Sequence, residues 1–303
     1  MSTPEEMAAA SDKLAKCIIR WTGNATQFDS PVPGLRLSRW DTTTLPTSYT
    51  QKSSICVIAQ GVKRIILGEE TYTYDANSFL ISSVDLPIVA NIVEASPDKP
   101  YLGLIMELDL QEISQLIVDS GFSLKQSKQA QSGMDVGHLS LPMLNAFQRL
   151  IDLHDEPDNI KILAPVIKRE IFYRLLSTEQ GLRLHQIVTT GSHSNQISKA
   201  IDWLKRNYAK PLSVGKLASY SGMSKSAFYN HFRTMTSMTP LQFQKKLRLN
   251  EARRLMLTEN LDALATTFKV GYESPSQFSR EYSRLFGAPP SKDIKSLRES
   301  GFA

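Results

Sequence analysis

GMSKSAFYNHFR, residues Gly222 to Arg233, decides how the C-terminal part of this chain reads. Phe228 and Phe232 lie four apart and share one side of a helix turning about 100° per residue. Ser226, Tyr229, Asn230 and Arg233 recur at i, i+3, i+4 and i+7 on the opposite side. These are hydrogen-bonding side chains, not the Glu/Lys pairs of an ordinary solvated surface. Asn bonds adenine N6 and N7 together, Arg reaches guanine or a phosphate, and Tyr uses its hydroxyl or stacks. Lys225, at the helix start, is placed for a phosphate. The face is therefore expected to read a major groove, and a merely solvated helix is the alternative.

The flanking residues complete a motif. Ile197, Ala200, Ile201 and Leu204 make the buried stripe of a helix that ends before Lys210-Pro211. Ser213 is placed to cap a second helix carrying Val214, Leu217 and Ala218, which stops at Gly222, and Ser224 to cap the third. A short helix, a Gly-containing turn and another helix form a helix-turn-helix. The arrangement recurs: Leu264, Ala265, Gly271, Ser274, Phe278 and Tyr282 repeat Leu217, Ala218, Gly222, Ser224, Phe228 and Phe232 at an offset of 47 to 50 residues. Here the outward set is Ser276, Ser279, Arg280 and Ser283. Between the units, Leu241 to Leu257 contains no Gly or Pro and predicts a helix roughly 25 Å long. Such a strut suits two reading helices on successive major-groove faces, about 34 Å apart. Lys245, Lys246, Arg248, Arg253 and Arg254 give it a basic flank.

Charge supports a polyanionic partner. From Gln196 onward there are 18 Lys and Arg against 8 Asp and Glu, whereas the preceding residues hold 17 against 22. An excess of cations in one small domain points to nucleic acid. Cys17 and Cys56, with no CxxC, propose neither a disulfide framework nor a thiolate zinc site. No apolar run of about 18 residues is present, and MSTPEEMAAA lacks the order of a signal peptide. A cytoplasmic protein with no membrane partner is expected.

Ahead of this, Phe28 to Leu108 breaks into short alternating runs punctuated by Gly, Pro, Asn and Asp, among them SSICVIAQG, VKRIILG and TYTYD. Consecutive antiparallel strands in a small barrel or jelly roll are predicted, with a hairpin turn at Gly68–Glu70. Helical spacing returns after Asp109. Ile160, Leu163, Ala164, Ile167, Ile171 and Leu175 form one stripe, and Met143, Phe147, Leu150 and His154 a weaker one. These helices pack on the barrel or pair with another subunit. Thr189–Gln196 has turn residues and no apolar anchor. The expected organisation is a sensory and dimerisation domain over 1–187, a linker over 188–196 and a DNA-binding domain over 197–303, with helix-turn-helix units at 213–234 and 261–284.

MSKSAFYNHFRTMTSMTPLQFQKKLRLNEARRLM with VGYESPSQFSREYSRLFGAPPS resembles the DNA-binding domain of the AraC/XylS family of bacterial transcription regulators. The likeness covers about 100 residues, including Pro240-Leu241 at the start of the strut, the Arg248/Ala252 pair and the Gly287–Pro290 exit. It departs at Ser237, where the family usually has Gly, and at Ser226, where some members carry a large side chain. The segment from Ser53 to Asp109 is similar to the cupin-like sensory domain of one subgroup. The resemblance implies an α+β chain, with a cupin-like β-barrel and flanking helices followed by an all-α double helix-turn-helix domain. Implied partners are operator or promoter DNA, RNA polymerase, a small-molecule effector and a second copy of the chain.

Enzyme chemistry is not expected, and neither is a cofactor. Metal-dependent cupins need two or three His and a carboxylate inside the barrel, whereas His138, His154, His185, His193 and His231 all lie outside the strand-rich segment. No nucleophile elbow, phosphate loop or HExxH occurs. Arg39, Cys56, Lys63, Tyr72 and Tyr74 are the candidate liners of an effector pocket, with Cys56 as a candidate electrophile-sensing thiolate. The competing readings are a constitutive DNA-binding protein whose barrel is purely structural, and a cupin enzyme fused to a DNA-binding domain.

Overall fold

The computed structural model describes residues 3–121 and 131–299. Helix α1 (Pro4–Thr22) begins where Thr3 and Glu6 close a capping box and ends at Gly23. Its buried side, including Leu14, Ala15 and Ile18, faces the barrel.

Nine strands follow: β1 (Gln27–Asp29), β2 (Leu35–Trp40), β3 (Thr47–Gln51), β4 (Ser54–Gln60), β5 (Val62–Leu67), β6 (Glu70–Tyr74), β7 (Ser78–Ser82), β8 (Leu86–Glu94) and β9 (Tyr101–Glu107). Helix α2 (Leu110–Ser120) precedes β10 (Met134–His138). The strands form two antiparallel sheets, ordered β1-β2-β9-β4-β7-β10 and β3-β8-β5-β6. Alternation divides the apolar residues between two cores. Cys56, Ile58, Leu80 and Tyr101 face Ile65, Ile88 and Ile92 of the smaller sheet, filling the barrel interior. Ile55, Val57, Phe79, Ile81 and Leu104 point the other way, beneath the helices.

The turn at Gly68-Glu69 joins β5 to β6 where the GEE motif predicts it. β10 lies beyond the strand-rich segment read from the sequence. β10 pairs with β7 and carries His138, with an exposed side chain, into the barrel wall. MDVGH is too short and too polar for its alternation to register.

Helices α3 (Leu141–Asp152), α4 (Ile160–Leu176) and α5 (Gly181–Val188) cover the larger sheet through Phe147, Leu150, Ile171, Phe172, Leu175 and Leu184. The α4 stripe differs from expectation at Leu163, which is 40% exposed beside Ile162 and Val166.

The C-terminal part is all helical: α6 (His193–Asn207), α7 (Val214–Tyr220), α8 (Lys225–Thr236), α9 (Pro240–Thr258), α10 (Ala263–Lys269), α11 (Pro275–Phe286) and α12 (Pro290–Glu299). Ser192 caps α6 through the Asn195 N–H, so His193–Gln196 are helical instead of part of a connector. Apolar packing runs without a break from the barrel interior into the core of α6 to α9. Lys205 on α6 pairs with Asp85 at 2.5 Å, and the Gly133 N–H donates to the Met235 carbonyl at 2.8 Å. Gly68, at φ +62°, lies so near Ser237 that a Cβ there would meet its carbonyl oxygen at 2.1 Å. No helix among the described residues is long and apolar enough to cross a membrane.

Candidate nucleic-acid interface

The first helix-turn-helix is α7 and α8. Ser213 accepts the Lys216 N–H and Ser224 accepts the Ala227 N–H, capping both helices as their sequences predict. Phe228 and Phe232 are fully buried, with ring centroids 5.5 Å apart, and Phe243 of α9 meets Phe232 edge-on at 5.4 Å. That packing fixes the rotation of α8, so Lys225, Ser226, Tyr229, Asn230 and Arg233 are all exposed. The helix ends at Ser237, which takes a left-handed conformation at φ 51° that glycine adopts more readily. The turn is made despite the departure from the family residue.

The second unit, α10 and α11, repeats the first with one correction. Leu264 and Ala265, expected as the counterparts of Leu217 and Ala218, are exposed, and Leu264 is 58% accessible. The buried pair is Thr266 and Thr267. These precede Gly271 as closely as Leu217 and Ala218 precede Gly222, so the repeat keeps a nearly constant offset. Two threonines in a core position hid the true register. Ser274 caps α11, Pro275 occupies its first turn, and Tyr272, Phe278 and Tyr282 form its aromatic anchor. Ser276 and Arg280 are exposed, whereas Ser279 and Ser283 are half-buried, and the Ser283 hydroxyl donates to the Ser279 carbonyl at 2.8 Å.

Most of the basic flank foreseen on α9 is engaged within the protein. Arg248 donates to the carbonyls of Tyr208, Ala209, Lys210 and Gly271 at 2.7 to 3.2 Å. Burial holds its guanidinium below the ordinary arginine value. Arg253 makes a bidentate pair with the buried Asp293, which also accepts the Tyr282 hydroxyl. Lys245 pairs with Glu281, and Arg254 with Glu251 and Glu259. Burial lowers Lys246 as well. Of these, Arg248 ties the segment ahead of the first unit to the turn of the second. At Gly271, φ +87°, a Cβ would strike the Ala209 carbonyl oxygen at 2.1 Å, so only glycine admits this junction.

Lys225, Tyr229, Asn230, Arg233 and Arg280 behave differently: among the described residues their side chains form no ion pair or hydrogen bond, and all are exposed. Arg284, one turn beyond Arg280, shares that exposure, and the i+4 spacing from Arg280 was the available signal. The far end of α8 also meets the barrel, where Asn230, Arg233, Thr234 and Ser237 line an open cleft with Glu69, Glu70 and Ser132.

The five effector-pocket candidates do not all converge. Lys63 and Tyr74 are paired across β5 and β6, and Cys56 lies with Tyr74 in the interior core. Burial pushes the Cys56 thiol up, with the Lys63 ammonium pulling the other way. Tyr72 bonds outward to Glu70 and Ser132. Arg39 alternates with Trp40 on β2, on the side of Leu35 and Leu37, away from the interior, and bonds Asp41 and the Gly23 carbonyl. No group of three or more His, Cys, Asp or Glu side chains among the described residues is placed to hold a metal ion.

Residues 31–183 match the family described as the AraC-type transcriptional regulator N-terminus, and residues 217–296 match a helix-turn-helix domain family. The HTH-type transcriptional regulator CdhR of Pseudomonas aeruginosa is 28% identical over 144 residues, which cover 48% of this chain and 43% of that protein. The raffinose operon transcriptional regulatory protein RafR of Pediococcus pentosaceus is 31% identical over 104 residues, covering 34% and 38%. The chain thus spans about two fifths of the length of these relatives. Among solved structures, ToxT from Vibrio cholerae O395 aligns over 90% of this chain and 98% of its own with a TM-score of 0.53 at 11% identity, a likeness of fold.

Proposed function

The chain belongs to the AraC-type transcriptional regulators, and from that premise we propose that it binds operator or promoter DNA through α8 and α11 under control of its N-terminal barrel. One observation carries this reading. Two capped helices, each fastened by aromatic rings, turn exposed hydrogen-bonding and cationic side chains outward on either side of a single continuous helix, α9. At 19 residues that helix is about 28 Å long, within reach of the ~34 Å separating successive major-groove segments on one side of a duplex.

In this reading Asn230 and Arg280 contact base edges. Lys225 and Arg284 hold phosphates, and Ser226, Tyr229, Arg233, Ser276, Ser279 and Ser283 complete the two faces. The N-terminal domain, 1–187, senses an effector and dimerises, and the exposed Ile162, Val166 and Tyr173 side of α4 is the surface for the second copy. The protein acts in the cytoplasm as a regulator and not as an enzyme, and a bound dimer alters transcription through RNA polymerase.

The test is a genomic footprint with the full chain, followed by Asn230→Ala and Arg280→Ala on the site recovered. Each substitution should cost about 1–3 kcal/mol and relax specificity at one base position. Equal losses on specific and random duplexes would remove these residues from base reading. Failure to bind any duplex at low salt would remove the function.

A further inference from the structure

The C-terminal end of α8 is seated on the barrel through backbone. The Gly133 N–H donates to the Met235 carbonyl at 2.8 Å, one of the acceptors that the last turn of a helix leaves open. Gly68, in the β5–β6 turn, lies against Ser237, where a Cβ would meet its carbonyl oxygen at 2.1 Å, and a Cβ on Gly133 would meet the Met235 carbonyl oxygen at 2.9 Å. Two bare backbone positions on separate barrel segments therefore receive the same helix end. The packing beneath is shared, since Met235 and Met238 lie in one core with Val84, Leu86 and Met134.

This seat brings negative charge to the reading face. Glu69 and Glu70 follow Gly68 at the tip of the turn, both exposed, and line the open cleft with Asn230, Arg233 and Thr234. Glu70 accepts the Tyr72 hydroxyl, which also lies 3.0 Å from the Ser132 hydroxyl, so the barrel fixes its carboxylate. Among the described residues neither glutamate forms an ion pair, although Arg233 lines the same cleft. Helix electrostatics give no reason for the placement, because carboxylates beside a helix C-terminus face its negative end.

A duplex needs the same space. An α-helix with its side chains is ~10–12 Å across, and a major groove is ~12 Å wide and ~8.5 Å deep. A helix seated in that groove has a sugar-phosphate strand along each flank. A hairpin that lines a cleft with Asn230 and Arg233, two residues of the reading face, stands where one of those strands would run, and its carboxylates repel the phosphates.

We propose that the Glu69–Glu70 hairpin is an internal competitor of DNA. The docked arrangement refuses a duplex along the later turns of α8, and binding requires the hairpin to withdraw from the Met235–Ser237 end of the helix. This rests on the role proposed above for α8 and adds what governs access to its face.

A genomic footprint is run with the full chain and with each variant of it, duplex affinity is measured across salt, and amide hydrogen exchange is followed with and without duplex. On binding, exchange should rise in 66–72 and 131–134, where the Gly133 N–H loses its acceptor, while α8 exchanges more slowly. Glu69→Gln with Glu70→Gln should tighten duplex binding about 3- to 10-fold at low salt, a gain that vanishes near 1 M salt, where charges are screened within ~3 Å. Asp98→Asn with Asp158→Asn removes the same charge from exposed positions outside the cleft and should gain less than about 2-fold. Gly133→Ala keeps every charge and presses a methyl on the Met235 carbonyl, so it should tighten binding about 5- to 150-fold at every salt concentration. The competitor is overturned, and the regulator reading survives, if 66–72 and 131–134 stay protected on bound duplex or if the glutamine pair gains no more than its control. Unchanged affinity in a Gly133→Ala chain with the parent's circular dichroism overturns it too. A parent that binds weakly beside variants that bind well supports both readings. If parent and variants alike ignore every duplex at low salt, the regulator reading falls and takes the competitor with it.

Discussion

Replacing Arg248 by Met separates a structural role from a phosphate contact on the same helix. By its place in a run of cations the residue belongs to a DNA-facing flank. By its contacts it is a splice: Nε and both terminal nitrogens donate to four carbonyls, three at the end of α6 and one at Gly271 in the turn of the second unit. It also lies 5.7 Å from the ring centroid of Tyr272. Hydrogen bonds to a charged group contribute about 1.5–3 kcal/mol each when buried. Here the side chain and the carbonyls it binds are partly exposed, so water replaces much of what is lost. The net cost of the substitution is therefore about 2–4 kcal/mol, since Met keeps the aliphatic packing. For a domain near 100 residues that is a fall in Tm of roughly 10–20 °C. Circular dichroism melts should show this loss in the C-terminal transition. Duplex binding at low temperature, where the domain stays folded, should keep its salt dependence unchanged. A melt identical to the parent, together with a salt slope about one unit shallower, would place Arg248 on a phosphate and refute the splice.

Lys225→Ala should do the opposite, lowering affinity on all sequences alike and reducing the salt slope by about one unit without moving Tm, as read by anisotropy at several salt concentrations. Asp293→Ala strands Arg253 in a buried site and removes the acceptor of the Tyr282 hydroxyl, so it should destabilise the second unit by about 3–5 kcal/mol in urea titration. Ser237→Gly should stabilise the first unit by up to ~1 kcal/mol, because the residue is held at positive φ, and an unchanged or lower urea midpoint would contradict that. His231 stacks on His193 with centroids 4.0 Å apart, and burial followed by the His193 charge depresses its pKa. The unfolded chain therefore takes up its proton first: this contribution to stability is complete above about pH 6.5 and is lost as pH falls through the lower folded value. His231→Gln should flatten the fall in Tm between about pH 7 and 5, but only partly, because burial depresses His154 in the same direction.

The helix-turn-helix units were legible because their determinants are local. Caps at Ser213, Ser224 and Ser274, glycines at the turns and aromatic pairs four apart depend only on residues within a few turns of one another. The register of α10 was misread because Thr266 and Thr267 occupy a position whose burial is imposed by α9 and α11 and not by their own hydrophobicity. Strand alternation marked the barrel, yet it said nothing of which sheet each strand joined, so Arg39 and Cys56 looked equally suited to a pocket.

The order of elements, the two anchored polar helix faces and the concentration of positive charge from residue 196 onward were written in the chain itself, because helical and strand periodicities repeat over distances shorter than one element. Tertiary structure alone decided which cations are engaged among the described residues. Arg248 and Arg253 differ from Arg233 and Arg280 only in what lies across from them, and those neighbours arrive from segments 23 to 40 residues away. Such facts depend on long-range closure of the barrel and docking of the helices, which no local pattern encodes.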